Sequence, residues 1–355
     1  MSLRSPKVLA GIGASVLALA LAGCSEDDTV VAPGGPETLT YVAYGGAGQD
    51  AQIEAFQKPY TDAHPNITFV NTSPADVAQV KAQVDAGVVQ WDIVATSPAA
   101  ATQNCGTLFE KLDMSALNTA DYLPNTIGEC YVANFANATL FGYNATKFPD
   151  PATAPKTVAD FFDLARFPGK RGVVTNLQNG MLEYALLADG VAPDQLYPLD
   201  VERALRKLGT IREQTNFAPN VGALQQAVSA DQVDLFLIPD SRAIALLNDG
   251  KNLKIVWDKT LIAANALAVV KGSPHGATAQ DFLRSLVAPG PQARMSELTG
   301  VLPINVNAKP NLTEAGKAVA AYADGNGGVK VVQDTDWYAK NFNEVSTRVN
   351  TWLVG

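Results

Sequence analysis

Short apolar runs alternate with helix-patterned stretches along this chain, and that rhythm constrains its fold more than any other feature. Residues 39–44 (LTYVAY) read as a strand, and a Gly-rich turn follows at residues 45–48. From Gln49 to Asp62 the spacing is helical, with Ile53, Phe56 and Tyr60 on one face, until Pro65 stops it. Residues 67–70 (ITFV) read as a second strand. Residues 76–86 read as a helix in which Val77, Val80 and Val84 lie three and four apart. Residues 92–95 read as a short apolar strand that stops at Thr96-Ser97-Pro98. Strand, helix, strand, helix, strand is the pattern of an open α/β sheet. The rhythm resumes with strands at residues 172–175, 233–238 and 261–270, the last placed to cross between two bodies. Residues 176–189 begin polar and turn helical. Further helices are predicted at 199–212, 221–230, 279–287 (capped by Pro289-Gly290) and 337–353. At roughly 100–200 residues per domain, 355 residues suit two such units, hence two lobes with a cleft between them.

The first residues belong to a different physical class. Arg4 and Lys7 precede an apolar stretch, residues 8–21, that is too short to read as a membrane span and ends in Leu21-Ala22-Gly23-Cys24. This end resembles the bacterial lipobox, which predicts a signal peptide over residues 1–23 and lipidation of Cys24. Residues 25–36 (SEDDTVVAPGGP) are acidic and then Pro/Gly-rich, so residues 24–37 read as a flexible tether between lipid and fold. Removing residues 1–23 takes away two positive charges and no acidic ones, so the net charge of −9 becomes −11. A chain so acidic lacks the basic surplus that replaces phosphate counterions, and no nucleic-acid partner is expected. Export also bears on the cysteines. Cys105 and Cys130 remain after lipidation, in an oxidising compartment, and are expected to pair.

The motifs exclude more chemistry than they suggest. Gly46-Ala47-Gly48-Gln49-Asp50-Ala51 fits the G-x-G-x-x-A dinucleotide fingerprint. The strand after it ends near Asn71, however, without the acidic residue that would take the ribose hydroxyls. What survives is a backbone loop that approaches a ligand closely, which needs glycine for the same steric reason. No nucleophile elbow, zinc-protease helix or phosphate loop is present, and the chain has only two histidines, His64 and His275. No cofactor or metal is expected. Ligands in open α/β sheets sit beyond the carboxyl ends of strands, at helix N-termini. That places residues 44–49, 96–98, 176–180 and 239–242 at the cleft. Asp240-Ser241-Arg242 admits two readings: an ordinary capped helix start, or a clamp in which Arg242 holds a carboxylate.

Several segments in order resemble one family: Tyr44-Gly45-Gly46-Ala47 with Gln49, Trp91-Asp92-Ile93-Val94, Gly128-Glu129-Cys130 and Phe167-Pro168-Gly169-Lys170-Arg171. To these are added residues 182–191 (LEYALLADGV), residues 196–200 (LYPLD), Asp336-Trp337-Tyr338 and residues 348–353 (RVNTWL). Together they resemble the extracellular solute-binding proteins of bacterial ABC importers, in the branch with the spermidine/putrescine-binding proteins. The resemblance implies a type II periplasmic-binding-protein-like α/β fold. Its lobes would span residues 38–143 with 266–306, and 144–265 with 307–355, joined by strand crossovers. It implies a small-molecule ligand, a membrane permease with its ATPase as partners, and no catalysis. Polyamine binders box a methylene chain with aromatic rings and fix its ammonium ends with carboxylates. This chain departs from that pattern: Pro239-Asp240-Ser241 stands where those relatives commonly have Trp-Asn-Gly, and Ala263 and Asn265 stand for an aromatic and an Asp. Leu177 to Gly180 replaces an acidic pair. Ser97 matches a family contact, but the aromatic beyond it has become Ala100. Asp240 with Arg242 suits an amino acid or another carboxylate-bearing amine better than a plain polyamine.

The expected function is therefore capture of a small polar nitrogenous solute by a monomer tied by lipid to the outer face of the cytoplasmic membrane. An exported hydrolase is the alternative. The expected contacts are Tyr44, the Gly45-Gly46 backbone, Gln49, Thr96 and Ser97 from the first lobe, and Gln178, Asn179, Asp240 and Arg242 from the second. Asn265 would sit at the hinge, and Phe217 would wall the pocket.

Overall fold

A computed structural model describes residues 35–322, 326 and 328–355. The predicted signal peptide, Cys24 and nearly all of the tether lie outside the described residues. The strands are β1 (Glu37–Val42), β2 (Ile67–Thr72), β3 (Ile93–Thr96), β4 (Val132–Asn144), β5 (Arg171–Val174), β6 (Thr215–Ala218), β7 (Leu235–Pro239), β8 (Leu253–Val269) and β9 (Val329–Val332). They form a single sheet in the order β2-β1-β3-β8-β4-β7-β5-β6, with β9 along β8.

The sheet has two parallel ends and an antiparallel middle. β1 pairs in parallel with β2 and β3, and β5 pairs in parallel with β6 and β7. Between these ends β4 and β8 run antiparallel, from Val132 opposite Leu267 to Asn144 opposite Leu253. β3 joins the far end of β8, with Thr96 opposite Ala266. β7 joins the second half of β4, with Thr139 opposite Pro239. Register shifts interrupt the β4–β8 ladder between Ala133 and Phe135 and between Thr139 and Phe141. Such bulges bend a strand and raise its twist, and here they sit between the two parallel ends.

The rhythm of residues 39–95 is found almost as predicted, with shifted limits. β1 starts at Glu37, and the predicted 49–62 helix starts at Gly46 and widens into a π turn over Ile53–Gln57. Asp76 caps the helix Val77–Ala86 by accepting the Ala78 N–H at 2.7 Å. The predicted 261–270 strand begins eight residues earlier, at Leu253. Pro289 does more than close the preceding helix: it starts a new one, Pro289–Thr299, because proline lacks only the N–H that a first turn leaves unpaired. β4 has no counterpart among the predicted strands. It is buried on both faces along most of its length, so no polar/apolar alternation marks it.

Three groups of buried side chains hold the layers. One lies on the β1–β3 side, with Phe56, Phe282 and Leu302, and extends to Phe236 and Ile238 of β7. A second packs Phe161, Tyr184, Leu208 and Val345 against β5 and β7. A third, with Phe109, Val94 and Ala268, covers the opposite face near the paired cysteines. Arg171 is fully buried without a carboxylate. Its guanidinium instead donates to the carbonyls of Phe161 (2.9 Å), Gly169 (2.6 Å) and Asp163 (3.1 Å), which satisfies the fork. Burial pulls its pKa below the ordinary value.

Cys105 and Cys130 form a disulfide, with their Cα atoms 5.4 Å apart and a sequence separation of 25. Closing such a loop restricts the unfolded chain by about 3 kcal/mol in the chain-entropy account. Replacing both by serine should lower the unfolding free energy in urea by about that amount. An unchanged midpoint and slope would show that the link contributes nothing.

Candidate functional site

A narrow cavity lies where both parallel ends approach the β4–β8 ribbon. Ser97 and Ala99 line it from the turn after β3, Leu177 and Gln178 from the turn after β5, and Ala264 from β8. Gln333, Thr335, Tyr338 and Phe342 line it from the C-terminal helix Thr335–Val354 and the residues before it. That helix packs against the helix Pro98–Gln103 on one side and Val201–Gly209 on another. The cavity encloses about 20 Å³. Ligand pockets typically run to about 300–1,000 Å³, so a solute enters here only if the walls part.

The local chemistry explains each wall. Ser97 caps the helix Pro98–Gln103: its hydroxyl accepts the Ala100 N–H at 3.1 Å, with proline in the first turn. Asn176 caps the short turn Leu177–Asn179 by accepting the Gln178 N–H at 2.9 Å. Gly180 ends that turn at φ +69, and a Cβ there would stand 2.0 Å from the Leu261 side chain. Glycine is thus required twice over, for its backbone angle and for its close approach to β8. Asp334 caps the C-terminal helix by accepting the Trp337 N–H at 2.9 Å. The first turn of a long helix therefore opens on the cavity.

The residues expected from sequence divide into three groups. Ser97 and Gln178 come together in the cavity. Thr96 is buried at the end of β3 beside them, and Asn179 is half-buried in the Gln178 turn. Tyr44 is 59% exposed after β1, next to Gly45 (φ +76) and Gly46 (φ +62); none of the three lines the cavity, although the protein around Tyr44 desolvates its hydroxyl and raises its pKa. Gln49 is committed to the loop itself. Its Oε1 accepts the Gly45 N–H at 2.9 Å, and its Nε2 donates to the Thr72 carbonyl at 3.2 Å. Asn265 is next to Ala264 on β8. Neighbouring side chains on a strand point to opposite faces, so Asn265 does not face the cavity.

Two expectations need correction. Phe217 meets Trp352 edge-on, with ring centroids 5.4 Å apart. Trp352 lies ten residues beyond Phe342, about 15 Å along the helix, so this aromatic is packing remote from the cavity. The Asp240–Arg242 pair does not form a clamp. Asp240 is buried at the start of the helix Asp240–Asn248, and its carboxylate accepts the N–H of Ala138 on β4 (2.9 Å) and of Ser241 (2.7 Å). Arg242, two positions on, is exposed and donates to Gln225 at 3.2 Å. Residues two apart on a helix do not share a face.

The reading from sequence omitted Gln333, Thr335 and Tyr338. A signal was present: Asp334 is a capping residue ahead of the longest helix. Among the described residues, no group of three or more His, Cys, Asp or Glu is placed to hold a metal ion.

This architecture has close counterparts. Residues 51–338 match the family described as bacterial extracellular solute-binding protein. The chain belongs to that family. It is 31% identical over 324 residues to the gamma-aminobutyric acid-binding protein of Pseudomonas aeruginosa, covering 89% of this chain and 91% of that one. The solved structure of the Atu4243–GABA receptor superposes with a TM-score of 0.80 at 30% identity, covering 89% of this chain and 98% of the receptor. The periplasmic binding protein AgtB from A. tumefaciens R10, in complex with agropinic acid, gives 0.73 at 28% identity, covering 90% of this chain and 99% of that one. The fold is accordingly the two-lobed α/β fold of periplasmic binding proteins.

Burial pushes the Asp240 carboxyl up to about 7, against the two backbone hydrogen bonds that pull it down. The folded chain therefore holds a proton that the unfolded chain, titrating near about pH 4, has already released. Stability present below about pH 4 is lost as pH rises toward about 7. Comparing urea melts of the wild type and D240N from pH 4 to pH 7 should show the wild type losing stability relative to the variant, by at most about 1.4 kcal/mol per pH unit. Parallel pH profiles would refute that burial penalty.

Proposed function

We propose that this chain is the non-enzymatic, lipid-anchored receptor of an ABC importer, and that it captures a small amino acid or another amine bearing a carboxylate. It would work as a monomer on the outer face of the cytoplasmic membrane, tied through Cys24, and hand its ligand to a permease driven by an ATPase. The observation that carries the reading is the kinship, at about 30% identity over nine-tenths of the chain, with proteins named for binding γ-aminobutyrate.

The cavity's chemistry favours the same class over a plain polyamine. None of its lining residues is acidic, whereas a desolvated ammonium at each end of a polyamine needs carboxylates. Ser97, Gln178, Gln333 and Thr335 supply hydrogen-bonding groups around the cavity. In the opened cleft Tyr44, the Gly45-Gly46 backbone, Thr96 and Asn179 would complete the shell, with Asn265 at the hinge and Gln49 holding the glycine loop in shape.

The lobes would be residues 38–143 with 266–306, and 144–265 with 307–355; the pairing of Thr139 to Tyr143 with β7 supports a first crossing inside β4. Closing on a ligand needs contacts from both lobes that the open form lacks, since only differential binding shifts such an equilibrium.

Calorimetry of the purified chain should show one γ-aminobutyrate or related amino acid bound per chain, with putrescine and spermidine at least about tenfold weaker, a difference of about 1.4 kcal/mol. S97A and Q178A should each weaken binding by about tenfold. Tight polyamine binding with amino acids inert would overturn the ligand class.

A further inference from the structure

Glu183 lies behind the cavity wall, and the receptor reading gives it no role. It sits in the helix Met181–Ala188 with no solvent exposure. A single oxygen, Oε1, accepts three hydrogen bonds: from the Tyr197 hydroxyl at 2.8 Å, the Tyr338 hydroxyl at 2.9 Å and Gln333 Nε2 at 3.0 Å. Gln333 Nε2 donates also to the Leu177 carbonyl at 3.0 Å. Three of the residues in this network, Leu177, Gln333 and Tyr338, line the cavity. They come from two chain segments about 150 residues apart; Gln333 joins the two, and Glu183 holds both Gln333 and Tyr338.

A carboxylate is an expensive choice for such a position. Its other oxygen, Oε2, is buried with no hydrogen-bond partner among the described residues. A leucine of similar bulk would pack there without that desolvation cost. What leucine would not supply is an acceptor for three converging donors. Each donor, if left buried and unpaired, would have to turn elsewhere, and two of them are cavity wall.

We propose that Glu183 is a positioning residue for the binding site: it fixes Gln333 and Tyr338, and with them the first turn of the C-terminal helix, in the geometry that meets the ligand. The ligand-affinity part of this proposal rests on the receptor reading; the anchoring part does not. Burial raises the Glu183 carboxyl above its ordinary value, and burial first, with the nearby Glu183 carboxyl second, raises the Tyr197 and Tyr338 hydroxyls above theirs.

The test uses E183L, which removes the acceptor, E183Q, which keeps it, and Y197F, which removes a donor that does not line the cavity. The first readout needs no ligand. Hydrogen exchange should accelerate at residues 333–342 in E183L by at least tenfold, with the sheet amides of β1 and β5 unchanged, and return toward wild type in E183Q. Uniform acceleration over the whole chain, or none, would overturn the anchoring role. The second readout is γ-aminobutyrate affinity by calorimetry on folded protein. E183L should bind at least tenfold more weakly, with E183Q and Y197F within threefold of wild type. Folded E183L with wild-type affinity would leave Glu183 structural only. If the wild type itself does not bind γ-aminobutyrate, the ligand reading fails, and the exchange experiment still decides whether Glu183 anchors the wall.

Discussion

The β4–β8 ribbon is the element on which the rest of this structure depends. Every other strand is attached, directly or through one or two neighbours, to one of these two. The first parallel end hangs on the last residues of β8, and the second on the last residues of β4. Any relative motion of the two ends must therefore be a deformation of this ribbon, and its ladder is already interrupted there by two register shifts. Hinges absorb motion in a few residues while the packed bodies stay rigid, because close-packed interiors resist continuous strain. The polar ties are placed accordingly. Asn134, at the first shift, donates to Gln52 Oε1 at 2.9 Å, and Tyr41 of β1 donates to the same oxygen. Gln52 Nε2 in turn donates to the Gly48 carbonyl at 3.0 Å, so the glycine loop after β1 is linked to the bulge. Asp240 ties a helix start of the second end to Ala138, between the two shifts.

Much of this fold was legible in the sequence, for a specific reason. Strands such as β1 to β3 are short apolar runs bounded by Gly, Pro or capping residues, and their helices carry apolar residues three and four apart. β4 was illegible because its residues are buried on both faces and interrupted by Asn134 and Asn137, which serve the ribbon and not an alternating pattern. Its register depends on β8, about 120 residues later, and no local spacing encodes that.

The site was legible by segment more than by residue. The rule that ligands meet the carboxyl ends of strands located the turns holding Ser97 and Gln178. It failed where side-chain direction decides. Asp240 and Arg242 look like a pair in sequence, but helix geometry sends one inward to the backbone and the other to solvent. Glu183 lies in the stretch expected to turn helical over residues 176–189 with no role assigned to it, and only the packing of the C-terminal helix reveals its three donors. Phe217 is an aromatic near a strand end whose partner, Trp352, lies 135 residues away in sequence.

The central claim is that a ligand closes the two halves of the fold about the β4–β8 ribbon. Electron-electron resonance between spin labels at the exposed positions Asp50 and Pro219, one in each half, addresses it directly. Added γ-aminobutyrate should shorten and narrow the distance distribution, saturating at one equivalent as binding saturates in calorimetry. A distribution that stays unchanged while the protein is shown to be saturated would contradict the account.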